Sequence, residues 1–187
     1  GYNETIGFNY QPEKAKILVA QFKTETGIEN PEISITTTSN YLSFCEYIQK
    51  ELQKTGLTVN IDVIPAATLK DAKANGKLAI FRASWVADYP DAENYLSLYY
   101  SKNFAPNGPN YTHFKNELFD TWFQQSFTET NTKKRELLYS KMDSLVMQKA
   151  PVVPLFYDEV VRFTRENVSG LGINPINLLD LKRVKKN

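Results

Sequence analysis

The stretch 57-LTVNIDVIPAATLKDAKANGKLAIFRASW-85 decides the fold. Its opening alternates Leu57, Val59, Ile61 and Val63 with Thr58, Asn60 and Asp62, the two-residue period of a half-buried strand, and Pro65 closes the run. A short helix is expected around 67–76. The following segment, 78-LAIFRASW-85, opens on a continuous apolar run that fits a strand covered on both faces. Strand, helix, strand is the unit of an α/β fold, and right-handed crossovers would make its strands largely parallel.

Upstream, 11-QPEKAKILVAQFKTETG-27 places Pro12 at a first helical position and Gly27 at the end. Ala15, Leu18, Val19 and Phe22 share one face, so an amphipathic helix is expected. After Pro31, Ile33 and Ile35 alternate with Ser34 and Thr36 as a second strand. Asn40 is a candidate cap for a helix through about Thr55, with Cys45, Ile48 and Leu52 on one face and Gly56 as its stop. Downstream, 92–101 reads as helical and 102-KNFAPNGPNYTHF-114 as a loop, followed by helices near 116–127 and 131–149. In the last of these, Leu138, Met142, Leu145 and Val146 form a stripe, and Ala150-Pro151 ends it. The run 152-VVPLFY-157 is expected to return to the sheet at an edge or bulged position, and 159-EVVRFTREN-167 to form another strand.

The chain has 187 residues, 42% of them hydrophobic, enough for one sizeable domain or one lobe of a larger protein. A formal net charge of +1 offers no broad attraction to nucleic acid or anionic lipid, so no nucleic-acid partner is expected. The basic ending 182-KRVKKN-187 reads as a solvated terminus. No apolar run reaches the roughly 18 residues of a membrane span. The chain starts at Gly1, which suggests a processed protein or an excised piece. One cysteine and one histidine exclude an intramolecular disulfide and a Cys/His zinc cluster of usual spacing; Cys45 is expected to be a buried thiol and His113 a loop residue. There is no Gly-x-Ser-x-Gly elbow and no phosphate loop, and no cofactor is expected. Glycosylation-like triplets occur at Asn3, Asn110 and Asn167, short enough to arise by chance.

In α/β sheets ligands gather beyond the carboxyl ends of strands, where 83-ASWVADYPD-91 falls. Trp85 and Tyr89 can be core packing, and Asp91, just before Ala92-Glu93, reads as a helix cap. Asp88 has two readings. It can serve turn chemistry beside Pro90, or it can receive a ligand ammonium between aromatic walls, where low local dielectric strengthens a charged contact. Ser39, after the strand at 33–36, can start a helix or touch ligand. Tyr99 and Tyr100 read as core and surface of a short helix. A rival reading pairs Asp88 with Asp91 or Glu93 as acid and base of a glycoside hydrolase, and a third is a non-catalytic partner-binding domain.

The stretches 85-WVADYPDAENYLSLYYS-101, 115-KNELFDTWFQQ-125, 133-KKRELLYSKMDSLV-146, 149-KAPVVPLFYDEVV-161 and 170-GLGINP-175, with 7-GFNYQPEKAKILVAQ-21 at the start, resemble the family 5 extracellular solute-binding proteins, the peptide receptors of bacterial ABC importers. The resemblance covers nearly the whole chain but only the final third of a family member. It implies a type II periplasmic-binding-protein-like lobe with a mixed, mostly parallel sheet flanked by helices. Residues 1–157 would be the carboxy-terminal substrate-binding lobe, and 158–187 a hinge-crossing segment returning to a missing amino-terminal lobe. The family's Trp-x-Ala-Asp motif makes Asp88 the acceptor for a peptide's α-amino group and Trp85 a pocket wall. Arg82 occupies the place of an arginine that can meet a ligand carboxylate, its alternative being an arginine snorkelling at a strand edge. Ser84 stands where many relatives have glycine. The implied partners are an oligopeptide or dipeptide ligand and a membrane permease, and no catalysis is expected. The implied location is the periplasm or cell-envelope exterior, with a lipid anchor on a cysteine of the missing part as one route.

Overall fold

The computed structural model describes residues 9–157, 159–174 and 178–187. Asn3, Gly7, Phe8, Asp158 and Pro175, which enter the readings above, lie outside the described residues. The described residues sort into two compact units. The first runs to Ser84 and resumes over Tyr99–Asn116; the second comprises Trp85–Leu98 and everything from Glu117 onward.

In the first unit, β1 (Glu32–Thr37) lies between β2 (Thr58–Val63) and β3 (Ile80–Phe81), and both pairings are parallel. The alternation in 57–63 thus forms the strand it specifies. Ile35 and Val59 point to the same side and meet Cys45 of α2 (Leu42–Gln53), with Ile33, Ile48, Leu52, Leu57 and Ile61 packed around them. Cys45 is a buried free thiol, as its helical face requires.

α1 (Pro12–Thr26) starts at its proline and ends where Gly27, at φ 72°, turns left-handed and donates its N–H to the Lys23 carbonyl. Its apolar face is not sunk into a core. Leu18, Val19 and Phe22 line an open groove of about 340 Å³ with Ile28, Pro31, Ile33 and Leu57. α3 (Ala66–Ala74) follows the crossover from β2.

Four expectations need correction. Neither Asn40 nor Ser39 caps α2 with its side chain: a turn over Ser39–Tyr41 precedes the helix, and Tyr41 stands at the cap position. The strand expected over 78–85 is paired only at Ile80–Phe81, on a sheet edge, so it is not covered on both faces; Ile80 is 40% exposed. Residues 152–157 form no strand, and Val153, Leu155, Phe156 and Tyr157 are exposed. Residues 159–167 likewise form none. Val168–Ser169 (β4) pairs antiparallel with Lys185–Lys186 (β5), so the basic ending is exposed yet carries a short ladder.

In the second unit, α4 (Glu93–Leu96), α5 (Glu117–Thr128) and α6 (Thr132–Lys149) carry the packing. Phe119 and Phe123 of α5 and Met142 and Val146 of α6 are buried, the last two belonging to the stripe read from sequence. Asn131 caps α6 by accepting the Lys134 N–H at 3.1 Å, and Ala150, left-handed at φ 49°, closes it before Pro151.

The loop over 102–114 belongs to the first unit. His113 has φ 50°, a ring nitrogen 3.0 Å from the Ala105 carbonyl and an edge contact with Phe104, a structural placement. Tyr99 meets Phe114 edge-on. Asn110 is fully buried, with its amide on the Tyr100 and Phe114 carbonyls, so its glycosylation-like triplet is not accessible to a sugar. Among the described residues no cluster of His, Cys, Asp and Glu could hold a metal, and no helix is long and apolar enough to cross a membrane.

Candidate functional site

The segment after β3 leaves the first unit at Ser84 and enters the second at Trp85. Its shape over 85–91 is set by Asn94, in the first turn of α4 and only 3% exposed. The Asn94 side-chain oxygen accepts from the Trp85 indole N–H at 2.8 Å and from the Asp88 backbone N–H at 3.3 Å. Both lone pairs of one amide oxygen therefore hold the loop. A buried amide so used is a strong local constraint, because any other placement would leave these polar groups unmatched.

The clamp takes the backbone of Asp88 and leaves its side chain outward. Asp88 is exposed, and among the described residues its carboxylate makes no hydrogen bond or ion pair. Trp85 is half-buried, its polar edge held and its ring partly open. Tyr89 folds back along the loop, its hydroxyl donating to Glu93, and that bond is the main cause of the raised Tyr89 pKa.

Asp91 is the second anchor, and its role is internal. One carboxylate oxygen accepts the Glu93 N–H at 3.0 Å, although Asp91 lies one residue before Ala92, which holds the cap position of α4. The same oxygen accepts the Tyr139 hydroxyl at 3.0 Å, and the other takes Arg135 at 2.7 Å. Arg135 and Tyr139 stand four residues apart on α6, so one helix face presents both donors to one acid. Asp91 is thus engaged at both oxygens, and Glu93 accepts the Tyr89 hydroxyl at one of its two.

The Tyr139 phenol is pushed up to about 12 from 10.0, first by burial and then by the hydrogen bond and charge of Asp91. Because the folded-state value is the higher one, this contribution to stability is complete below pH 10, where a free tyrosine is protonated, and is lost as pH rises through about 12. Tyrosinate absorbance, taken as the difference between the protein and Tyr139→Phe, should show one late ionisation near pH 12. A midpoint at 10, the ordinary value, would mean that Tyr139 is neither buried nor bonded to Asp91 as described.

Arg82 and Ser39 belong to the first unit and are described within it. The Arg82 guanidinium carbon lies 3.4 Å from the centre of the Tyr41 ring, and its Nη1 is 3.3 Å from the Ser84 hydroxyl. Its backbone N–H donates to the Thr36 carbonyl at 3.1 Å, a bond of the Phe81–Thr36 pairing. Ser39, exposed, opens the turn before α2. Sequence reasoning singled out Asp88, Trp85, Arg82 and Ser39 as candidates and assigned nothing to Asn94, Arg135, Tyr139 or Tyr41. The i, i+4 spacing of Arg135 and Tyr139 was a visible signal; their partner, 44 and 48 residues away, was not.

The family model for bacterial extracellular solute-binding proteins, family 5, middle region, matches residues 1–107. The dipeptide-binding protein DppE of Bacillus subtilis (strain 168) is 27% identical over 194 residues, covering 100% of this chain and 35% of its own length. The di/tripeptide-binding protein 2 of Pseudomonas aeruginosa (strain UCBPP-PA14) is 26% identical over 193 residues, covering 99% of this chain and 36% of its own. Among solved structures, the ABC transporter-associated periplasmic binding protein DppA from Helicobacter pylori, in complex with peptide STSA, superposes with a TM-score of 0.73 at 29% identity over 82% of this chain and 30% of that one. The chain spans about a third of the length of the curated relatives it matches. The parallel sheet with flanking helices is therefore the α/β fold of periplasmic binding proteins, and the chain belongs to the bacterial extracellular solute-binding proteins of family 5.

Proposed function

We propose that this chain is the carboxy-terminal, substrate-binding part of a peptide receptor that delivers its ligand to the membrane permease of an ABC importer. The observation that carries the reading is the Asp88 carboxylate: exposed and without an internal partner among the described residues, on a loop fixed by Asn94. A carboxylate so presented receives the α-ammonium of a peptide, and the open part of the Trp85 ring covers the first side chain. Arg82 and Ser39 are the ligand contacts of the first unit, with Arg82 meeting a carboxylate. Relatives named for dipeptide and di/tripeptide binding support the ligand class. The protein acts by binding and not by catalysis, with the ligand held in the cell-envelope exterior; a lipid anchor would lie outside these residues.

Residues 1–157 form the lobe in this reading, and 158–187 cross toward the remainder of the receptor. The exposed Val160, Val161 and Phe163 support such a crossing, since large apolar side chains are expected to meet a partner surface. A receptor of this kind closes around its ligand, and contacts made only on closure supply most of the affinity. The 187 residues alone should therefore bind a tripeptide at millimolar strength or weaker. In a calorimetric titration of the isolated chain, micromolar affinity would contradict the half-site reading.

A further inference from the structure

Arg82 presents an imbalance that its neighbours do not resolve. Among the described residues it makes no ion pair, and its one side-chain hydrogen bond, to Ser84, leaves most of its N–H donors unused. The β1–β3 ladder pairs Ile35 with Ile80 and Thr36 with Phe81, and Arg82 follows directly on it, its N–H on the Thr36 carbonyl. An uncompensated guanidinium thus stands at the carboxyl end of the sheet. An anionic oxygen pair is the group that matches it, since a planar guanidinium takes a carboxylate through two parallel bonds.

The Tyr41 ring decides whether that match can be used. At 3.4 Å from the ring centre, the guanidinium lies over an aromatic face, which restrains a long side chain that would otherwise sample many rotamers. We propose that Tyr41 is a positioning residue: it holds Arg82 as a clasp for the terminal carboxylate of the ligand, and so makes the receptor select peptides with a free carboxy terminus. This rests on the peptide reading above. Tyr41 touches Arg82 and not the ligand, so its loss should erase discrimination between end groups, not binding as a whole.

The test compares three forms of one tripeptide, with both ends free, with an amidated carboxy terminus and with an acetylated amino terminus, by calorimetry on the full-length receptor. The unsubstituted protein should bind the free acid at least about tenfold more tightly than the amide. Tyr41→Leu should reduce that ratio to about threefold or less while leaving the penalty for acetylation in place, and Tyr41→Phe, which keeps the ring, should retain the ratio. Tyr41→Gln is measured alongside, and whichever ringless variant melts as the parent does decides the outcome. An unchanged acid-to-amide ratio in a folded ringless variant, or no preference for the acid in the parent, overturns the proposal. If the parent binds none of the three peptides, the peptide reading itself fails and this inference with it.

Discussion

Replacing Phe123 with alanine should destabilise the second unit by about 3–5 kcal/mol, the range for removing a fully buried aromatic ring. Phe123 is 1% exposed, stacks on Phe119 with ring centres 6.1 Å apart and meets Phe127 edge-on at 5.1 Å. Met142, with no exposed surface, lies on α6, which packs on the same helix. The ring is held by neighbours that have their own burial to lose, so the structure cannot collapse into the space without disturbing the α5–α6 pair. A domain retains only about 5–15 kcal/mol in total, so the change removes a large share. Both tryptophans of the chain, Trp85 and Trp122, belong to this unit, so their fluorescence reports its unfolding and not that of the first. The urea midpoint should fall by about 2 M at ordinary denaturant slopes. A fall below about 0.5 M would mean that the helices do not pack as described.

Asp88→Ala in the full-length receptor should weaken binding of a peptide with a free amino terminus roughly 10- to 100-fold, the equivalent of about 1.5–3 kcal/mol for a hydrogen bond to a charged group. Folding should be nearly untouched, because the carboxylate is exposed and unpaired among the described residues, and what Asn94 holds is the backbone N–H, which alanine keeps. That contrast separates the two aspartates of the loop. Asp91, bonded to Arg135, Tyr139 and the Glu93 N–H, supports the fold; Asp88, three residues earlier, supports nothing internal that is described.

Much of the fold was legible in the sequence because its signals were local. The alternation over 57–63, Pro12 and Gly27 around α1, and the stripe of α6 each encode structure within a few residues, and each appears where expected. The strands that failed to form were matters of partnership. Residues 152–157 and 159–167 have strand-like apolar content, but a strand needs a neighbour to take its hydrogen bonds, and no local pattern names one. Ile80 and Phe81 pair while the residues around them do not, for the same reason. The site divides likewise. Asp88 was visible as an acid between aromatics, whereas the amide that orients its loop, Asn94, carries no local mark, and its role appears only when Trp85 and Asp88 are brought onto one oxygen.

The most direct measurement is a thermodynamic cycle on the full-length receptor, combining Asp88→Asn with acetylation of the peptide's amino terminus. If the carboxylate meets the ammonium, each change alone weakens binding and the two together add little more, giving a coupling of about 1.5–3 kcal/mol. Additive losses, with a coupling near zero, would show that the ammonium is held elsewhere and would contradict the account.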